Sequence, residues 1–212
     1  QRWMPIGLPV ASERNRMLTF SNYCDELGRV LARIDGAAFD AAVGAIKDVQ
    51  AADKVIYVCG NGGSAATASH MVNDLVKAPA DASGCRPFRA FALMDCVPLM
   101  TAFANDVDYA RALALQLEAY GRPGDLLVAF SGSGNSANVL EAAKTAKAKG
   151  LTVLGFTGFQ GGKLASLCDI HVNVPCDSMA QIEDAHLIIE HALVEVLKES
   201  FGGTSSVPCG NA

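Results

Sequence analysis

His70 and Asp74 stand four residues apart, and Glu183, His186, Glu190 and His191 crowd into the last apolar-periodic stretch of the chain. On a helix, four residues bring two side chains to one face, one turn apart. That spacing suits a metal pair or a base beside its orienting partner. A lone histidine on an apolar helix face is more often packed and hydrogen-bonded than catalytic, and His186 is read that way.

Two polar elbows stand ahead of these helices. "CGNGGSAATASHMVNDL" (59–75) follows the apolar run "KVIYV", and "SGSGNS" (131–136) lies between "DLLVAF" and "ANVLEAAKTAKAKG". Each offers unpaired backbone N–H groups and hydroxyls at the start of a helix, where the partial positive charge favours an anion. Serine also caps helices routinely, so either elbow alone reads as a cap or as an anion site. Three serines in six residues exceed one cap, and the two elbows together favour a ligand the size of a phosphosugar. The glycine spacing is not GxGxxG, no acidic residue ends a following second strand, and no GxxxxGK[ST] occurs, which disfavours nucleotides.

The elements that must hold these groups alternate. After amphipathic stretches at 19–34 and 36–52 come strand-like runs at 54–60, 88–93, 125–130, 151–158 and 170–175. Between them fall helical patterns at 64–77, 97–104, 108–120, 136–149 and 161–167, and a long helix at 178–199 closes the series. Strands alternating with helices imply βαβ crossovers and a doubly wound parallel sheet, with ligands beyond the carboxyl ends of the strands. A single domain is expected over 19–200, with a flexible segment at 1–18 and a mobile tail at 201–212. The 212 residues are 50% hydrophobic and carry a formal charge of −5. Without a Lys/Arg block to displace counterions, nucleic acid is not the expected partner. No apolar stretch approaches the roughly 20 residues that span a bilayer. Seven scattered cysteines without a CxxC pair read as cytosolic thiols, and a cytoplasmic location is expected.

The segments "CGNGGSA" (59–65), "AND" (104–106), "SGSGNSANV" (131–139), "TG…GGKLA" (157–165) and "IEDAHLIIEH" (182–191) resemble, in order, the sugar isomerase (SIS) domain family and within it the phosphoheptose isomerases. The resemblance covers nearly the whole chain from about residue 20. It implies a three-layer α/β fold, N-terminal helices that help build a homotetramer, and active sites at subunit boundaries. Two amphipathic helices outside an already covered sheet would need such a partner surface. Phosphate binding maps to Ser131, Gly132, Ser133 and Ser136. Contacts to sugar hydroxyls map to Asn61, Gly62, Gly63 and Ser64, and to Asn105 and Asp106, a pair that alone also reads as a turn after a helix.

By position the resemblance implies a Zn²⁺ site at His70, Asp74, Glu183 and His191, with Asp74 or Glu183 as base and His191 as acid. Asp74 is one methylene shorter than the family's usual Glu, Glu183 stands for its usual Gln, and Ala180 falls where the family has Asp. Residues eight apart on a regular helix are separated by about 12 Å along its axis and about 80° around it. One ion does not easily bind both 183 and 191, unless Glu183 sits in an irregular first turn or the two serve sites in different subunits. Mixed N/O donors suit Zn²⁺, with Mn²⁺ or Fe²⁺ open on ligand type. The reaction implied is aldose–ketose isomerisation of D-sedoheptulose 7-phosphate to D-glycero-D-manno-heptose 7-phosphate through an enediolate. The rivals are a non-catalytic SIS adaptor that binds a replication initiator protein and an isomerase of another sugar phosphate. Such adaptors tend to lose the metal and acid/base residues that this chain keeps.

Overall fold

Two helices open the computed structural model, which describes residues 19–77 and 86–200. The segments 1–18 and 201–212, expected as a flexible lead and a mobile tail, lie outside the described residues. Helix α1 (Phe20–Leu31) and helix α2 (Gly36–Ala51) each start where a side-chain oxygen meets an orphan amide. Thr19 Oγ1 accepts from the Asn22 N–H at 3.2 Å, and Asp35 Oδ1 accepts from the Ala37 N–H at 2.9 Å.

Strands and helices then alternate through β1 (Val55–Cys59), α3 (Gly63–Lys77), β2 (Arg89–Ala92), α4 (Val97–Phe103), α5 (Ala112–Tyr120), β3 (Leu126–Ser131), α6 (Ala137–Ala148), β4 (Thr152–Thr157), β5 (Ile170–Asn173) and α7 (Met179–Ser200). Every residue of β1 and β3 is buried, as in parallel strands covered on both faces. The five strands form one parallel sheet in the order β2-β1-β3-β4-β5, with Ile56 opposite Leu126 and Leu126 opposite Thr152. The winding reverses between β1 and β3, so a crevice opens beyond their carboxyl ends. The two elbows of the sequence follow these two strands.

Alternate strand residues feed two cores. On one face Ile56, Val58, Leu126, Val128, Phe130 and Phe156 pack against α2, α3 and α7. On the other, Tyr57, Cys59, Leu127, Ala129 and Val153 pack against α5 and α6. The three-layer doubly wound fold is as the sequence indicates, but one inference drawn from it fails. Helix α2 is not outside a covered sheet, because Ala42, Val43, Ile46 and Val49 are buried in the same core as Ile56 and Val172. Amphipathicity establishes that a face is buried without saying against what. Only α1 lies further out. It buries Val30, leaves Phe20 exposed, and is tied to the domain by Tyr23 Oη donating to Asp184 Oδ2 at 2.5 Å.

Two local differences matter for the site. The helix expected over 161–167 is only a 3₁₀ turn at Ala165–Leu167, because Gly161 and Gly162 take φ of 84° and 56°. Between α4 and α5 the backbone widens into a π-helical stretch, Ala104–Asp108, followed by a 3₁₀ turn, Tyr109–Arg111.

Asp125 fixes the entrance to the central strands. Its buried carboxylate accepts from the Val55 N–H at 3.0 Å through Oδ1 and from the Arg122 N–H at 2.8 Å through Oδ2. Asp125→Ala strands both donors and is expected to cost about 3 kcal/mol in urea unfolding, with Asp125→Asn losing less because it keeps one acceptor. Equal stabilities for Asp125→Ala and the parent chain would contradict this role.

Candidate active site

The first elbow turns at Gly62, whose φ of 55° suits glycine, and α3 begins at Gly63. A Cβ on Gly63 would meet the end of the Glu183 side chain, which places that carboxylate against the start of α3. The serine elbow leaves β3 at Ser131 and enters α6 at Ser136. Ser136 occupies the N-cap position yet makes no capping hydrogen bond, and its hydroxyl lies 3.4 Å from that of Ser131. Capping therefore does not account for these hydroxyls. Ser133 Oγ accepts from the Asn135 N–H at 3.2 Å. Gly134, at φ 63°, packs so tightly on the Gly161 carbonyl that no side chain fits, and the loop after β4 closes behind it through Gly158 N–H to Gly132 O at 2.8 Å.

The elbows are joined side chain to side chain. Asn61 Nδ2 donates to Asn138 Oδ1 and Asn138 Nδ2 donates to Asn61 Oδ1, both at 2.8 Å. Tyr109 Oη adds a bond of 2.7 Å to Asn61 Oδ1, which draws the π-helical stretch up to the first elbow. That stretch carries Asn105 and Asp106, both exposed, with Asn105 Nδ2 donating to Asp106 Oδ1 at 2.8 Å.

Behind the elbows α3 and α7 run side by side in the same direction. Gly63 meets Glu183 at their starts, and His70 meets His191 seven and eight residues on, about 10–12 Å further along both axes. There the two Nε2 atoms face one another at 2.9 Å, so one ring donates and the other accepts. Asp74 Oδ2 lies 3.3 Å from His70 Nε2 and 3.9 Å from His191 Nε2, and Glu190 Oε2 lies 3.7 Å from His191 Nε2.

Within this chain three of the four expected ligands, His70, Asp74 and His191, come together, and Glu190 rather than Glu183 is the fourth residue beside them. The donor atoms within 4.8 Å of one another belong to His70, Asp74, Glu190 and His191. Glu183 is one end of α7 away, against Gly63, as its eight-residue separation from His191 dictates. The fit to a divalent cation rests on an orphan, because both Glu190 carboxylate oxygens are buried without a hydrogen-bond partner. Burial, then the charge of Asp74, push Glu190 up to about 8 against the opposing pull of Lys198. A cation among two imidazoles and two carboxylates would satisfy that oxygen pair and favour its ionised form.

His186 is a packing residue, as its apolar setting indicates. It is buried with Phe130 and Phe156 at ring-centroid distances of 5.7 Å and 6.3 Å, and its Nε2 donates to the Thr157 carbonyl at 3.1 Å. A cleft of about 660 Å³ lined by residues such as Tyr57, Phe91, Leu99 and Tyr120 shares no residue with the elbows or the histidine group. Three contributors went unseen in the sequence, namely Glu190 as a cation ligand, Asn138 and Tyr109. A signal existed for two of them. Glu190 and Asn138 are polar residues on the buried stripes of α7 and α6.

Fold and site together define a doubly wound α/β domain with paired anion-ready elbows at its topological switch point and an ion-ready group behind them. The family model described as SIS domain matches residues 22–158. The phosphoheptose isomerase of Rhodospirillum rubrum is 39% identical over 168 residues, 77% of this chain and 86% of that protein. That of Burkholderia pseudomallei is 36% identical over 197 residues, 89% and 98% of the two chains. The solved phosphoheptose isomerase from Neisseria gonorrhoeae superposes with a TM-score of 0.77 at 32% identity, covering 84% of this chain and 96% of its own. The chain belongs to the SIS domain family, among its phosphoheptose isomerases.

Burial lowers the His186 pKa from 6.5 to about 4, with the Thr157 bond opposing. The unfolded imidazole therefore takes a proton first, and stability falls as pH drops from about 6.5 towards about 4. His186→Gln keeps an N–H for Thr157 without titrating, and its stability should fall less over that window, by on the order of 3 kcal/mol in urea unfolding. Parallel curves for the two proteins would contradict a neutral, buried His186.

Proposed function

We propose that this chain is an aldose–ketose isomerase that converts D-sedoheptulose 7-phosphate to D-glycero-D-manno-heptose 7-phosphate. The observation that carries this reading is the pairing of clasped elbows, whose serine hydroxyls are not used as caps, with a carboxylate–imidazole group on the helices behind them. The phosphate is held by Ser131, Gly132, Ser133 and Ser136 and by the amides that open α6. The sugar hydroxyls meet Asn61, Gly62, Gly63, Ser64, Asn105 and Asp106. The phosphate supplies position, holding a flexible substrate for reaction at its far end.

The reacting carbons are C1 and C2. A carboxylate, Asp74 beside the imidazole pair or Glu183 at the first elbow, takes a proton from C1 and leaves negative charge on the C2 oxygen. A carboxylic acid returns a proton to C2 while His191 carries the proton of the C1 hydroxyl to the C2 oxygen, and the aldose forms. His70, Asp74, Glu190 and His191 are the residues that would hold a Zn²⁺ ion. When bound, it supplies electrophilic stabilisation of the developing oxyanion.

The reading includes a cytoplasmic homotetramer with shared active sites. Support comes from distance along α7. Gly132 of the serine elbow packs on Met179, and His191 lies twelve residues later, about 18 Å along the axis. The phosphate elbow of one subunit working with the histidine group of another closes that gap.

Purified protein supplied with Zn²⁺ is expected to convert sedoheptulose 7-phosphate, followed by NMR. Asp74→Ala and His191→Ala should each lower turnover at least about 10²-fold with unchanged circular dichroism. Full activity in both variants would refute these roles, and an inactive parent chain would refute the isomerase. Chelation should abolish turnover and added Zn²⁺ restore it. Mixing His191→Ala subunits with Ser133→Ala subunits should regain activity that neither has alone, and a mixture as inactive as its components would argue against shared sites.

A further inference from the structure

We infer that Asn138 and Tyr109 are positioning residues that hold the substrate-binding segments in register through a single amide, that of Asn61. The inference rests on the isomerase reading above and deepens it. The Val139 backbone N–H donates to Asn138 Oδ1 at 3.0 Å, which fixes which end of the Asn138 amide is oxygen. Asn138 Oδ1 then accepts from Asn61 Nδ2, and Asn138 Nδ2 donates to Asn61 Oδ1, so the orientation of Asn61 is fixed in turn. Since Asn61 Oδ1 only accepts, Tyr109 Oη is the donor of the third bond.

A carboxamide has two donor hydrogens and two acceptor lone pairs. Asn61 spends both acceptor sites and one hydrogen within the protein, which leaves one hydrogen for a ligand. Its first task is structural. One amide links the elbow after β1, the elbow after β3 through the second residue of α6, and the turn that follows Asn105 and Asp106. These are the segments that carry the proposed ligand contacts.

The clasp has a firm side and a loose side. Asn138 is 2% exposed, whereas Tyr109 is 49% exposed and competes with water for its bond. Tyr109 sits in a 3₁₀ turn held at its start by Asp108 Oδ1, which accepts from the Ala110 N–H at 2.8 Å. The elbows are accordingly fixed to one another, and the Asn105–Asp106 segment is latched to them by a surface hydroxyl.

The test uses the full chain with Tyr109→Phe, which removes one exposed hydroxyl, Asn138→Ala, and the double variant. Each single variant should raise KM for sedoheptulose 7-phosphate about five- to tenfold, with kcat within about twofold and the melting temperature of Tyr109→Phe unchanged. Because both act on Asn61, the double variant should raise KM by less than the product of the single effects. Hydrogen exchange read alongside needs no turnover. Either variant should speed exchange in 60–66, 104–111 and 131–139 together. A Tyr109→Phe protein with parental KM, a loss confined to kcat, or faster exchange only at the altered segment would overturn the clasp. An inactive parent chain would sink the isomerase reading alone, and the exchange result would still decide the clasp.

Discussion

The parallel packing of α3 on α7 is the constraint from which the chemistry of this chain follows. Both helices start at the carboxyl edge of the sheet, and the Glu183 carboxylate lies against the start of α3 at Gly63. From that shared origin they advance at the same rise per residue, so groups at equal distances along each must meet. His70 and Asp74 on one helix are thus delivered to Glu190 and His191 on the other.

The two carboxylates of this group form a site that could hold a cation. Asp74 and Glu190 converge on two imidazoles that share one hydrogen between facing Nε2 atoms. Buried beside Asp74 with no donor for either oxygen, Glu190 is costly as an anion and finds its best partner in a cation. At the other end, the helix starts at the elbows present amides and hydroxyls to a ligand's negative charge.

Much of this was legible from residue order. The apolar strand runs, the glycines that follow them and the serine elbow located the sheet, its switch point and the anion-ready loops, and every expected strand is present within a residue or two at each end. What escaped were properties of assembly. Helix α2 covers the sheet because the core beneath it needs a lid, which its own pattern does not disclose. The π-helical widening at Ala104–Asp108 has no local signature in the residues that form it. Glu183 lies apart from His191 within this chain, as the helical rise stated from the sequence requires. Glu190 was passed over because a carboxylate on a buried stripe reads as an anomaly until its neighbours are known. Tyr109 carried no signal, being an exposed aromatic whose partner lies 48 residues away.

The chemistry proposed is proton transfer by side chains, with the sugar's own hydrogen leaving C1 and another arriving at C2. The most direct measurement is the isomerisation run in D₂O, with the aldose isolated early and its C2 position read by NMR. Transfer through a carboxylate and an enediolate predicts solvent deuterium at C2. Product that carries only the hydrogen originally on C1, at every stage of conversion, would contradict an enediolate whose carried proton exchanges with solvent.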